Sequence, residues 1–243
     1  MFWTIMRAEL MKLKQSRIAF PVILAPLLIV LLQLANFFVR YDSVVKPGAD
    51  PWTIFIAQHL SMWALLILPI LVAILSGMVV SIENTNNSWK YMFSLPFKRG
   101  YLYFVKVALV LFFIIISSVI LGIGMIASAM LLNLSGAVPV DDLVKTIGAA
   151  LLGTFAVLAV QFWLSIRFKN SGIPLGVAIC ATVAAIFFVQ STFTHWLPWV
   201  YPYLTLPITL NEGTNVMWYI CQSLIVGIIC LWAGCREFVR RDV

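Results

Sequence analysis

Six long apolar runs dominate the chain, at about residues 18–39, 57–81, 102–132, 144–166, 172–193 and 216–235. A helix rising 1.5 Å per residue needs roughly 20 residues to cross about 30 Å of hydrocarbon, so each run predicts one membrane span. The third run exceeds that need, which predicts a helix that tilts or continues beyond the bilayer. Residues 167–171 leave only a tight hairpin between the fourth and fifth runs. Pro21, Pro26, Pro69 and Pro174 lie inside runs, a placement that membrane helices tolerate where neighbours hydrogen-bond to the freed carbonyls.

The stretch before the first run has a different pattern. At 100° per residue, Phe2, Trp3, Met6, Leu10 and Leu13 share one arc, whereas Arg7, Lys12, Lys14 and Gln15 mostly fall elsewhere. Residues 1–17 therefore read as an amphipathic helix resting in the headgroup layer with its apolar face down. An ordinary basic flank of the first span is the other reading. The first run is too long for the apolar segment of a signal peptide, and no A-x-A-like site follows, so it reads as a retained span.

Two connections are richer than simple loops require. Residues 194–215, between the fifth and sixth runs, contain Trp196, Pro198, Trp199, Tyr201, Pro202, Tyr203 and Pro207. The aromatics favour the headgroup layer and the prolines break long helices, which predicts a short re-entrant or interfacial element. Residues 82–100, between the second and third runs, hold an Asn/Ser/Thr stretch after Glu83 that can cap a helix through Trp89, Met92 and Phe93. Leu95-Pro96 would end it. Interfacial anchoring by these aromatics alone would give the same pattern.

Composition agrees with lipid as the solvent. The 243 residues are 63% hydrophobic and 10% charged, against about 25% charged in soluble domains. If the runs alternate in direction, Arg7, Lys12, Lys14, Arg17, Lys90, Lys98, Arg99, Lys106, Arg167, Lys169, Arg236, Arg240 and Arg241 share one side with Glu9, Glu83, Glu237 and Asp242. Arg40, Lys46 and Lys145 lie opposite, with Asp42, Asp50, Asp141, Asp142 and Glu212. By the positive-inside bias, both termini are expected in the cytoplasm. The net charge of +7 divides by side as insertion requires, so it calls for no nucleic-acid partner.

Candidate chemistry is sparse. Cys180, Cys221, Cys230 and Cys235 lie in or at the end of apolar runs without Cys-x-x-Cys spacing, and read as packing residues. His59 and His195 stand apart from other ligand types, so no metal site is expected. No Asp, Glu, Lys or Arg lies in the middle of a run, which argues against proton- or ion-coupled carriers, whose coupling groups usually sit at mid-membrane. Ser61, Ser117, Ser118, Gln161, Thr182, Gln190 and Gln222 are expected to bond between helices. Intramembrane proteolysis would need H-E-x-x-H, paired Asp, or Ser with His at depth, and Asp141-Asp142 reads as a solvated cap. The chain has no G-x-x-x-x-G-K-[ST] and is not expected to hydrolyse ATP. Gly122 and Gly124 read as packing positions. A non-catalytic scaffold or sensor subunit remains open on these features.

The basic A-E-L-M-K-L-K of residues 8–14, the six runs, and the inner E-x5-W-K-x4-L-P of residues 83–96 together resemble the membrane subunits of type-2 ABC exporters. The resemblance is nearest to small permeases of Gram-positive bacteria that confer immunity to lantibiotics or bacitracin-like antibiotics, or export peptide toxins. It implies an all-α membrane protein of six transmembrane helices, with residues 1–17 as an elbow helix and residues 82–100 holding a cytoplasmic coupling helix. The resemblance places Glu83, Trp89, Lys90, Tyr91, Met92, Phe93, Leu95 and Pro96 at the contact with an ATPase subunit, and Arg167 and Lys169 at a lesser one. It further implies P-loop ATPase subunits that hold ATP and Mg, no cofactor on this chain, a second copy or related permease, and a bacterial plasma membrane. The implied cargo is an amphipathic or antimicrobial peptide, with another apolar or lipid-like cargo as the alternative.

Overall fold

Asp50 and Pro51 start a helix ahead of residue 57, where the second apolar run begins. The Asp50 carboxylate accepts from the backbone N–H groups of Trp52 at 3.3 Å and Thr53 at 3.0 Å. Pro51 takes the first turn, where a missing N–H costs nothing. The hydrogen bonds to Asp50 also hold its carboxyl below the ordinary value, the Thr53 side chain contributing most.

A computed structural model describes residues 2–14, 16–45, 48, 50–85, 99–207 and 215–240, and among these every regular element is helical. In chain order they are α1 (Phe2–Lys14), α2 (Ala19–Val44), α3 (Pro51–Met62), a π turn (Trp63–Ile67), α4 (Leu68–Thr85), α5 (Arg99–Leu131) and α6 (Val140–Arg167). There follow α7 (Gly172–Phe188), two 3-10 turns (Thr192–Thr194 and Pro198–Val200), α8 (Tyr201–Leu204) and α9 (Val216–Arg240). Among the described residues, five helical stretches are long and apolar enough to cross a membrane: Ala19–Tyr41, Pro51–Glu83, Arg99–Leu131, Val140–Arg167 and Val216–Arg240. The chain is thus a multi-pass membrane protein. Helix α7 is apolar but has 17 residues, about 25 Å at 1.5 Å per residue. It ends before residue 193 because the chain turns through Gln190 and Ser191 into a 3-10 turn. The 33 residues of α5 reach about 50 Å, well beyond the hydrocarbon thickness.

The prolines show how the bundle compensates for lost backbone bonds. Pro21 and Pro174 occupy the first turns of α2 and α7. Pro26 cannot donate to the Val22 carbonyl, and Ser117 Oγ on α5 donates to that oxygen instead, at 2.8 Å. Pro69 follows the π turn, a wider coil that absorbs the break. Arg40, at φ −125° and ψ 23°, interrupts α2 one residue beyond the expected end of the first run.

Small residues set the closest approaches. A Cβ placed on Gly227 of α9 would collide with Phe155 of α6, and one on Gly234 would meet the Tyr103 hydroxyl at 2.5 Å. Ser223 Oγ stitches the same crossing, donating to Gly153 O at 2.8 Å and accepting from Ala156 N at 3.2 Å. Gly122 and Gly124 face Ile147 and Val30, as packing positions do. Of the polar groups expected between helices, Ser117 bonds to α2, and Gln161 donates to Pro174 O at 2.8 Å. Ser118 Oγ, Thr182 Oγ1 and Gln222 Oε1 are instead buried without a hydrogen-bond partner among the described residues.

After α7 the chain folds inward. Val200, Tyr201, Leu204, Thr205 and Leu206 are buried, and a Cβ on Gly153, midway along α6, would lie 2.9 Å from Tyr201 O. Tyr201 Oη donates to Trp196 O at 2.7 Å, closing this turn. His195 is held by the Tyr219 hydroxyl at 2.9 Å, and His59 lies against Phe55 with ring centroids 4.1 Å apart.

Candidate functional site

Four charges of alternating sign meet where α1, α4 and α5 converge. Glu9 and Lys12 stand one turn apart on α1, with Lys12 Nζ 2.9 Å from Glu9 Oε1. Lys12 Nζ is also 3.0 Å from Glu83 Oε1, in the last turns of α4. Lys106 Nζ of α5 lies 2.7 Å from Glu9 Oε2 and 3.4 Å from Glu83 Oε1, closing the ring. Val79 O, one turn before Glu83, accepts a further bond from Lys106 at 3.4 Å.

Three members of the ring are almost fully enclosed: Glu9 is 4% exposed, and Glu83 and Lys106 are each 1% exposed. Ile5 and Leu13 explain the position of α1, since both bury on the apolar core and turn Glu9 toward Lys106. Taking an ion out of water costs several kcal/mol, and the ring offsets that cost by balancing two carboxylates with two ammonium groups in close contact. Burial pushes the Glu9 carboxyl up, but Lys106 and then Lys12 outweigh it and hold the group below its ordinary value. Burial likewise pulls Lys12 down, and its bonds to Glu9 and Glu83 leave it above the ordinary value.

Glu83 stands at the stem of the inner connection that the sequence singles out, but its side chain faces inward and its carboxylate is spent on Lys12 and Lys106. An enclosed carboxylate cannot also line the surface against another subunit. Trp89, Lys90, Tyr91, Met92, Phe93, Leu95 and Pro96 lie outside the described residues. The ring nonetheless fixes both stems of their connection, Glu83 before it and Lys106 after it. Arg167 and Lys169 are exposed at the end of α6 and just beyond. Arg167 Nε lies 3.9 Å from Glu237 Oε1 of α9, and Arg99 donates to Val239 O at 3.2 Å. The starts of α5 and the ends of α6 and α9 therefore share one end of the bundle, the end that carries the ring.

Sequence reasoning missed Glu9 and Lys106 as members of a site. Two signals pointed to them: a lysine inside the apolar run 102–132, and an acid in an otherwise basic flank. A charge in a membrane helix calls for a counter-charge, and the inner side offers few acids to supply one.

Residues 5–185 match the family described as ABC-2 family transporter protein. The matched stretch runs from within α1 into α7 and contains the whole ring. Comparison with curated proteins and with solved structures finds no match. The match covers well over half of the 243 residues, and the chain belongs to the ABC-2 family of transporter proteins, as a membrane-spanning permease of an ABC transporter whose ATPase is a separate subunit.

Proposed function

We propose that this permease works in export, in a bacterial plasma membrane, with six crossings that include α7 and with both termini in the cytoplasm. ATP and Mg bind in P-loop ATPase partners, and a second copy or a related permease completes the membrane unit. The ring of Glu9, Lys12, Glu83 and Lys106 carries this reading, because it clasps both stems of the 86–98 connection to α1. A push on that connection then reaches three helices together. Trp89, Lys90, Tyr91, Met92, Phe93, Leu95 and Pro96 form the face toward the ATPase, Glu83 anchors that face from within, and Arg167 and Lys169 add a second contact.

The cargo we propose is an amphipathic peptide, secreted or cleared from the membrane in self-protection. A groove of about 450 Å³ between α2 and α4 supports an apolar contact, being lined by Phe20, Leu24, Leu28, Ile70 and Ile74 with Arg17 as the one charged residue among the described ones. That single cation at the edge of an apolar groove favours a lipid-like cargo as the second reading. The test is transport and ATP hydrolysis by the reconstituted complex. Trp89→Ala should leave assembly and basal hydrolysis in place while cargo-stimulated turnover falls; unchanged coupling would remove the role given to residues 83–96.

A further inference from the structure

A second charged feature lies at the same end of the bundle, between α6 and α9. A cavity of about 520 Å³ is lined by Arg167, Trp232, Ala233, Arg236, Glu237 and Arg240. Three guanidinium groups face one carboxylate there, and that carboxylate is already engaged by Trp163 Nε1 at 2.8 Å and by Arg167 at 3.9 Å. Among the described residues, the cavity therefore keeps an excess of positive charge. On the other flank of Trp232 and Arg236, a slot of about 260 Å³ runs along α5 and α9 and is lined by Phe104, Cys235 and Val239. Nearly all of the surface of this slot is apolar. Arg236 stands over the Trp232 ring, 5.2 Å from its centroid, at the boundary between the two spaces. Trp232 itself is 62% exposed at the end of a span, the depth that tryptophan favours at a membrane interface.

We infer that this end of α9 is a binding site for an anionic phospholipid of the leaflet that faces the arginines. Its headgroup phosphate sits in the cavity between Arg236 and Arg240, and one acyl chain lies in the slot against Phe104 and Val239. The chemistry selects this occupant over a free anion, because an apolar slot adjoins the cationic cavity at the end of a span, beside the exposed Trp232. It also selects it over a zwitterionic lipid, whose own cation would meet the guanidinium groups.

The test uses the purified full chain, stripped of lipid in a neutral detergent, with retained lipid counted by native mass spectrometry. Phosphatidylglycerol and phosphatidylcholine of the same acyl composition are titrated separately. The wild-type chain should retain phosphatidylglycerol in preference. A basic residue near an anionic lipid is worth roughly fivefold in binding, so R236Q/R240Q should weaken phosphatidylglycerol retention about 25-fold. R7Q/R40Q removes two exposed cations that line neither space and should retain the lipid as the wild type does. Val239→Trp fills the slot without changing charge and should weaken both lipids, which keeps the test decisive if R236Q/R240Q does not fold. Equal retention of the two lipids by the wild-type chain would overturn the inference. So would equal losses in the two double variants, displacement of phosphatidylglycerol by inorganic phosphate at matched concentration, or a dimer that covers Trp232 and excludes lipid.

Discussion

Removing Lys106 tests the ring at its most enclosed cation. Lys106→Met keeps the length and apolar stem of the side chain but leaves Glu9 and Glu83 facing one another with only Lys12, which is itself 42% exposed, to balance them. Breaking a buried ion pair by deleting one partner costs about 3–5 kcal/mol, since the remaining charge stays buried without compensation. At 3 kcal/mol the ratio of folded to unfolded chain falls about 150-fold. Glu9→Gln combined with Lys106→Met removes one charge of each sign and leaves the Lys12–Glu83 contact of 3.0 Å in place. That pair of changes should recover at least about 1.5 kcal/mol relative to Lys106→Met alone, a coupling well above the 0.3–0.5 kcal/mol scatter of independent sites. The assay is a double-mutant cycle of reversible unfolding in mixed micelles of neutral detergent and dodecyl sulfate. Lowering the pH should rescue part of the Lys106→Met loss, because protonating Glu9 restores neutrality. A loss below about 1 kcal/mol, or additive effects of the two substitutions, would refute the view that these charges act as one unit.

Three further outcomes follow from the same contacts. The Glu9 carboxyl is held below its ordinary value of 4.5 and the Lys12 ammonium above its ordinary 10.5. The docking of α1 should therefore be full between these values and weaken only as pH falls through the Glu9 titration or rises through that of Lys12. Hydrogen exchange of α1 would show this, and a transition near pH 7 would contradict it. Gly153→Val should destabilise the fold by about 1–3 kcal/mol in thermal unfolding, because its Cβ would stand 2.9 Å from Tyr201 O, a backbone atom that cannot swing aside. In intact cells, a cysteine replacing Ser43 should react with an impermeant thiol reagent from outside, and one replacing Ser94 should be protected. The reverse labelling would invert the topology.

Much of the helical plan is legible because lipid imposes simple demands on a chain. Long apolar runs mark the helices, and Pro26 forecasts a compensating donor on a neighbour, supplied by Ser117. Boundaries were less legible where local polar chemistry overrides hydropathy. Asp50 and Pro51 start a helix before the apolar run does, and α7 stops early because the chain turns inward toward Gly153. The ring was not legible as a unit, since its members lie at positions 9, 12, 83 and 106 and only the packing of α1 onto α5 brings them together. Glu83 stood out by its place in the inner connection. Its burial, which makes it an anchor and not an outward-facing contact, depends on Lys106, hidden inside an apolar run.

The most direct measurement places a photo-crosslinking residue at position 89, and separately at position 43, in the full chain expressed in its native cell. The position 89 probe should trap a P-loop ATPase identified by mass spectrometry, and the position 43 probe should trap none. An ATPase adduct at position 43, or its absence at position 89 in a complex that still assembles, would contradict coupling through the inner connection.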